Sequence, residues 1–151
     1  SNTEKECKKG IECVLVIKRD VDDFKIQNIV FASNFEQKSK IAFQNILDGR
    51  VPQKACGHLL KINTIHNFET TKESSDAIRN FINEYDLGNY TLNIYNDVSV
   101  ESGILNFSNV IDADVILLNT SGRRGLAHLF TGSIGEDLAK HAKLPVVTFK
   151  V

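Results

Sequence analysis

The sequence predicts an α/β domain, a parallel sheet covered by helices on both faces, and two observations carry that expectation. Five short runs rich in Ile, Val, Leu and aromatics recur along the chain, and amphipathic stretches of helical period stand between them. Strands alternating with helices read as right-handed βαβ units, hence a doubly wound, three-layer sheet. In such sheets ligands lie beyond the carboxyl ends of the strands, where the strand order reverses. A chain of 151 residues, 42% apolar and 25% charged, is the size of one domain with its own core.

The runs, in order, are residues 28–33 (NIVFAS), 58–65 (HLLKINTI), 90–95 (YTLNIY), 114–119 (DVILLN) and 145–151 (PVVTFKV). All are short enough for strands buried in a sheet. Ile78, Phe81, Ile82 and Tyr85 fall at i, i+3, i+4 and i+7, and Ile104, Phe107 and Ile111 at i, i+3 and i+7. Ile134, Leu138 and Ala142 repeat at i, i+4 and i+8. Each set lines one face of a helix. The strand ends to inspect are therefore Ser33-Asn34, Asn63-Thr64 and Asn119-Thr120.

The first 25 residues stand outside this alternation, with charges of both signs around one apolar run at 13–18 (CVLVIK). Methionine is absent, and Ser1-Asn2 reads as a protease-cleavage scar on an expressed fragment. Residues 8–18 line up with 140–150: in each, a lysine-rich helix end precedes a β-run closed by lysine. The expectation is that residues 3–18 are the tail of a preceding, similar domain, 19–27 a linker and 28–151 the domain itself. The alternative is a locally added strand.

Charge and cysteine content narrow the function. A formal net charge of -1 and a pI near 6.4 supply no basic field for phosphate-backbone binding, so nucleic acid is not the expected partner. Cys7, Cys13 and Cys56 form no CxxC pair, and no His or Cys cluster has zinc spacing. Without a signal peptide or membrane span, these read as reduced thiols of a cytoplasmic protein.

The connection from Asn119 to Gly132 carries the functional signal. It is 14 residues long, whereas βα connections run about 2–6. Gly122 and Gly125 permit positive φ and close approach of backbone to a ligand. The connection ends where Ser133 begins a helix, whose free amides and dipole favour an anion by about 0.3–1 kcal/mol. Together these describe a phosphate cradle, with Arg123 and Arg124 beside it. The plainer reading is also open: Ser133 and Glu136 form a capping box, and the arginines are solvated charges. It is not a Walker loop, since no GK[ST] follows, and no GxGxxG follows the first strand.

Residues 113–150 resemble the C-terminal half of the universal stress protein family, whose nucleotide-binding members carry Gly-x-x-Gly, nine residues, then Gly-Ser or Gly-Thr. Here Gly122, nine residues and Gly132-Ser133 match the later part of that pattern. Residues 29–35 (IVFASNF) are similar to the family's first strand and turn, and 100–118 to its third helix and fourth strand. The resemblance implies a five-stranded parallel sheet of order 3-2-1-4-5, as in adenine nucleotide alpha hydrolase-like folds, with an extra N-terminal strand. It also implies a tandem protein of which this is the second domain. Two positions depart from the pattern: Asn119 stands at its first glycine, and Asn34 where an acidic residue usually follows the first strand. In relatives these lie near the ribose. An amide at Asn34 hydrogen-bonds a hydroxyl but does not accept from two as a carboxylate does.

Two functions follow from the resemblance. One is a stress-response regulatory module binding ATP or a related adenine nucleotide, with Mg2+ accompanying it. Ala32, Ser33, Asn34 and Thr64 would flank the adenosine, with Asn119 near the ribose. Gly122, Arg123, Arg124, Gly132, Ser133 and Ile134 would hold the phosphates. The other is a structural or dimerisation module without nucleotide, acting through the last strand, residues 146–151. That strand would be an exposed edge in order 3-2-1-4-5, and relatives pair through it. A homodimer or a tandem-domain pseudo-dimer would use it, and residues 13–18 offer a strand to cover it. Catalysis is not indicated: the four histidines are dispersed, Cys56 has no adjacent His, and nothing stands as an obvious base for more than slow ATP hydrolysis.

Overall fold

In a computed structural model of the chain, residues 2–7, 11–16, 26–48, 54–119 and 144–150 are described. The strands are β1 (Asn2–Cys7), β2 (Ile11–Val16), β3 (Asn28–Ala32), β4 (Cys56–Asn63), β5 (Tyr90–Asn96), β6 (Val115–Asn119) and β7 (Val146–Lys150). The helices are α1 (Lys40–Asp48), entered through a short 3-10 turn at Gln37–Ser39, α2 (Thr71–Ile82) and α3 (Val100–Val110). One sheet runs β1-β2-β7-β6-β3-β4-β5. Its five strands from β7 to β5 are all parallel, which is the expected order 3-2-1-4-5.

The central strands are apolar from Ile29 to Ala32 in β3 and from Val115 to Leu118 in β6 because both of their faces are covered. In β3, Ile29 and Phe31 enter one core and Val30 and Ala32 the other. In β6, Val115 and Leu117 divide from Ile116 and Leu118 in the same way. The first core is closed by Phe43 and Ile46 of α1 and by Ile78, Phe81 and Ile82 of α2. The second is closed by Ile104 and Phe107 of α3, with Val146 of β7. Gly103 lets α3 sit close on β4: a Cβ there would stand 2.7 Å from Ile62 Cγ2.

Local signals set the boundaries. Thr70 and Glu73 form a capping box at the start of α2, and Ser99 caps α3 by accepting from the Ser102 amide at 3.1 Å. Asp114 lies at the amino end of β6, and its Oδ2 accepts from the amides of Gln27 and Asn28 at 2.7 and 2.8 Å. That carboxylate clasps the start of β3 to the start of β6.

Two parts differ from the sequence reading. The single N-terminal strand expected over 13–18 is a hairpin, with β2 starting at Ile11 and β1 before it, and Asn2, set aside as a scar, lies in β1. β1 reads Asn-Thr-Glu-Lys-Glu-Cys, which has no apolar period to detect; its main-chain ladder to β2 forms it. β2 in turn pairs antiparallel with β7, so the edge that the sequence leaves exposed is covered from within the chain. The linker expected over 19–27 lies outside the described residues except for 26 and 27. The second difference is α1, whose Phe43, Ile46 and Leu47 show helical spacing over nine residues, shorter than the window in which periodicity is reliable.

Phe81 is fully buried and packs edge-on against Phe35 and Phe43, with ring centroids 5.3 and 5.2 Å apart. Phe81→Ala will therefore lower unfolding free energy by about 3–5 kcal/mol, measured by urea denaturation. His58 gives a pH signature. Its Nε2–H donates to Asn28 Oδ1 at 2.9 Å and its Nδ1 accepts from the Thr91 hydroxyl at 2.7 Å, a tautomer that the network assigns. Burial pushes the imidazole below its usual pKa of 6.5. The folded state thus prefers the neutral ring, while the unfolded chain takes up a proton near the usual value. This contribution is complete above about pH 6.5 and is lost as pH falls toward the lower folded value. Urea midpoints of the wild type will drop between about pH 7.5 and about pH 5.5, and His58→Gln will flatten that part of the profile.

Candidate functional site

The strand order reverses at β3: β4 continues the chain's winding on one side, and β6 lies on the other. Ala32 pairs with Leu60 of β4 and with Leu118 of β6, so Ser33 and Asn119 stand level, one residue beyond the last paired positions. This is the crevice at which a doubly wound sheet takes its ligand. The structure brings together Ala32, Ser33, Asn34 and Asn119 of the residues singled out in the sequence.

Thr64 stands higher. In the β3–β4 register Asn34 is level with Ile62, so Thr64 lies two residues, about 7 Å, farther along the strand direction. β4 and β5 extend together to Asn63 and Asn96 and form a wall on one side of the crevice. Asn63 pins the loop on that wall: its side chain donates to the Glu69 carbonyl at 3.0 Å and accepts from the Glu69 amide at 2.9 Å. Thr64 is itself buried, and its carbonyl accepts from the Asn67 amide in a tight turn. Below the loop, Lys61 is buried and bonded to Glu69, whose carboxylate also accepts from Ser74 at 3.0 Å.

The floor is set by an unusual turn. Ser33 donates its amide to Leu60 O, and its Oγ accepts from the Phe35 amide at 3.0 Å. Phe35 has φ of +55°, a left-handed conformation that costs a non-glycine residue about 1–2 kcal/mol. Its ring compensates by inserting between Phe31 and Phe81. The chain thereby reverses at Asn34 and holds it, half-buried, at the lip of the crevice. Sequence reasoning passed over Phe35; the apolar residue directly after a Ser-Asn strand end is the signal it offers.

Asn119 is 2% exposed, and its Nδ2 donates to the Ser39 carbonyl at 3.5 Å. The side chain at the pattern's glycine position therefore lies within the protein and ties the end of β6 to the turn that starts α1. Gly122, Arg123, Arg124, Gly132, Ser133 and Ile134 lie outside the described residues, as does the helix expected around Ile134, Leu138 and Ala142. Among the described residues, no group of three or more His, Cys, Asp or Glu is placed to hold a metal ion, and no helix is long and apolar enough to cross a membrane.

The profile of the universal stress protein family matches residues 94–150. No curated protein matches the chain. Among solved structures, a hypothetical protein studied to assign its biochemical function superposes with a TM-score of 0.66 at 18% identity, covering 83% of this chain and 96% of that one. A universal stress protein from Archaeoglobus fulgidus gives 0.62 at 14% identity, over 90% of this chain and 48% of that one. A universal stress protein in complex with cAMP gives 0.54 at 13% identity, over 82% and 95%. At these identities the structural likeness is one of fold.

Asn63→Ala will remove both bonds to Glu69 and leave its part-buried main-chain groups without these partners, at a cost of about 1 kcal/mol. Hydrogen exchange will show the amides of Asn67 and Glu69 losing protection while those of β3 keep theirs.

Proposed function

We propose that this chain carries a universal stress protein domain, a stress-response regulatory module that binds ATP or a related adenine nucleotide in the crevice between β3 and β6. The observation that carries the proposal is the juxtaposition of Ser33-Asn34 with Asn119 at the reversal of strand order, directly before the glycine-containing stretch from Gly122 to Gly132. The solved complex of a universal stress protein with cAMP supports the ligand class. Ala32, Ser33, Asn34 and Thr64 line the adenosine side. The main chain at Gly122, Gly132, Ser133 and Ile134, with Arg123 and Arg124, takes the phosphates. Mg2+ enters with the nucleotide, on its phosphate oxygens.

A second reading is favoured by Asn119, buried and turned toward Ser39, and by the hairpin laid on β7. In it the domain binds no nucleotide and works through strand pairing. In the tandem arrangement that we propose, residues 3–18 are the end of a preceding domain and β2 is its last strand.

Calorimetric titration separates the two. Mg-ATP will release or absorb heat and raise the unfolding temperature, since a ligand of the folded state at 100 times its Kd adds about 2.7 kcal/mol. No heat and no thermal shift at millimolar ATP, ADP, AMP and cAMP would leave the structural reading alone. Asn34→Asp restores a carboxylate to the ribose side, and it will tighten the nucleotide by about tenfold, or 1.4 kcal/mol.

A further inference from the structure

An open sheet has two edge strands, and this one treats them differently. Among the described residues, β1 is paired only with β2 and β5 only with β4. β1 carries Glu4, Lys5 and Glu6 in succession, the kind of charge that keeps a foreign strand away. β5 reads Tyr-Thr-Leu-Asn-Ile-Tyr-Asn, without charge, proline or glycine. It stays in register with β4 at all seven of its residues, so no bulge bends it away. Its outer side offers a row of main-chain donors and acceptors with nothing to repel a second strand. Tyr90 at its start is 46% exposed, and Leu92, Ile94 and Tyr95 are half-buried.

We infer that β5 is the surface through which two copies of this chain pair, antiparallel about a two-fold axis at Asn93. The strand is self-complementary under that operation. Leu92 meets Ile94 of the second copy, Thr91 meets Tyr95, Tyr90 meets Asn96, and Asn93 meets itself. Leu92 and Ile94 pack against the core beneath α1 and α2, whereas Tyr95 packs against the core beneath α3. An axis at Asn93 therefore sets an apolar pair on the first face and the Thr–Tyr and Asn–Asn pairs on the second, with both helical layers continuing across the join. A slide by one residue is not open to the strand, since it would set Leu92 opposite Asn93, whose side chains lie on different faces of the sheet. Sliding it by two shortens the overlap. A self-complementary strand fits an isologous contact, the form that closed homodimers take. The surface is at the edge of the sheet opposite β1 and does not depend on the nucleotide.

Directly opposed residues in such a pair have Cβ atoms about 4.5–5.5 Å apart, so like charges at position 93 repel across the axis. Light scattering or native mass spectrometry will find the wild type dimeric. Asn93→Lys and Asn93→Asp will each raise the dimer dissociation constant by more than about tenfold, and an equimolar mixture of the two will recover a heterodimer. In the wild type, the amides of β5 will gain exchange protection as protein concentration rises through the dissociation constant, and those of β1 will not. A monomeric wild type, variants as dimeric as the wild type, two folded variants that fail to pair with each other, or β5 protection independent of concentration would overturn the inference.

Discussion

The parallel pairing of β3 with β6 is the constraint on which the rest of the molecule depends. Each strand is buried on both faces, and each feeds two cores at once through the period-two alternation of its side chains. β4 and β6 flank β3 on opposite arms of the winding, and the crevice opens at that reversal of strand order. Asp114 secures this pairing at one end, through the main-chain amides of Gln27 and Asn28, and at the other Asn119 ties the end of β6 to the turn before α1 through the Ser39 carbonyl. The site is thus a by-product of topology, and side chains at the strand ends decide what it accepts.

The legible parts of the fold were those with strong periods. The five apolar runs and the helical sets at Ile78 to Tyr85 and at Ile104 to Ile111 correspond to β3 to β7, α2 and α3, with strand limits differing by one or two residues. Where burial is not periodic, the sequence was silent. β1 owes its place to hydrogen bonding with β2, and a charged hexapeptide carries no mark of that. α1 is brief, and its apolar residues sit among polar ones. The strand-end positions were legible for a related reason: β-type residues stop abruptly at Ser33 and Asn119, and a stop is easier to read than a shape. What the sequence did not convey was the height of Thr64 above the floor, which follows from the greater length of β4, or the inward turn of Asn119, which needs a carbonyl eighty residues away.

Polar residues in this protein divide by location. Toward the amino ends of the strands, Asp114, Asn28, His58 and Thr91 form a chain of hydrogen bonds that crosses from β6 to β5 and reaches Asn93 at the middle of β5. At the carboxyl ends, Asn63 and Ser33 spend their side chains on nearby main chain and shape loops. The first set ties strands to one another. The second leaves strand partners alone and fixes the exits from the sheet, so the carboxyl end is organised without requiring a charged side chain on the crevice floor.

Phe35 joins the crevice to the opposite side of the sheet. The residue that gives Asn34 its place is also a member of an aromatic group with Phe31, Phe43, Phe81 and Tyr85. Whatever displaces the lip must pull a phenyl ring through a close-packed neighbourhood that resists small adjustments. An occupant of the crevice therefore has a mechanical handle on α1 and α2, and the surface of those two helices is where its arrival would be felt by another molecule.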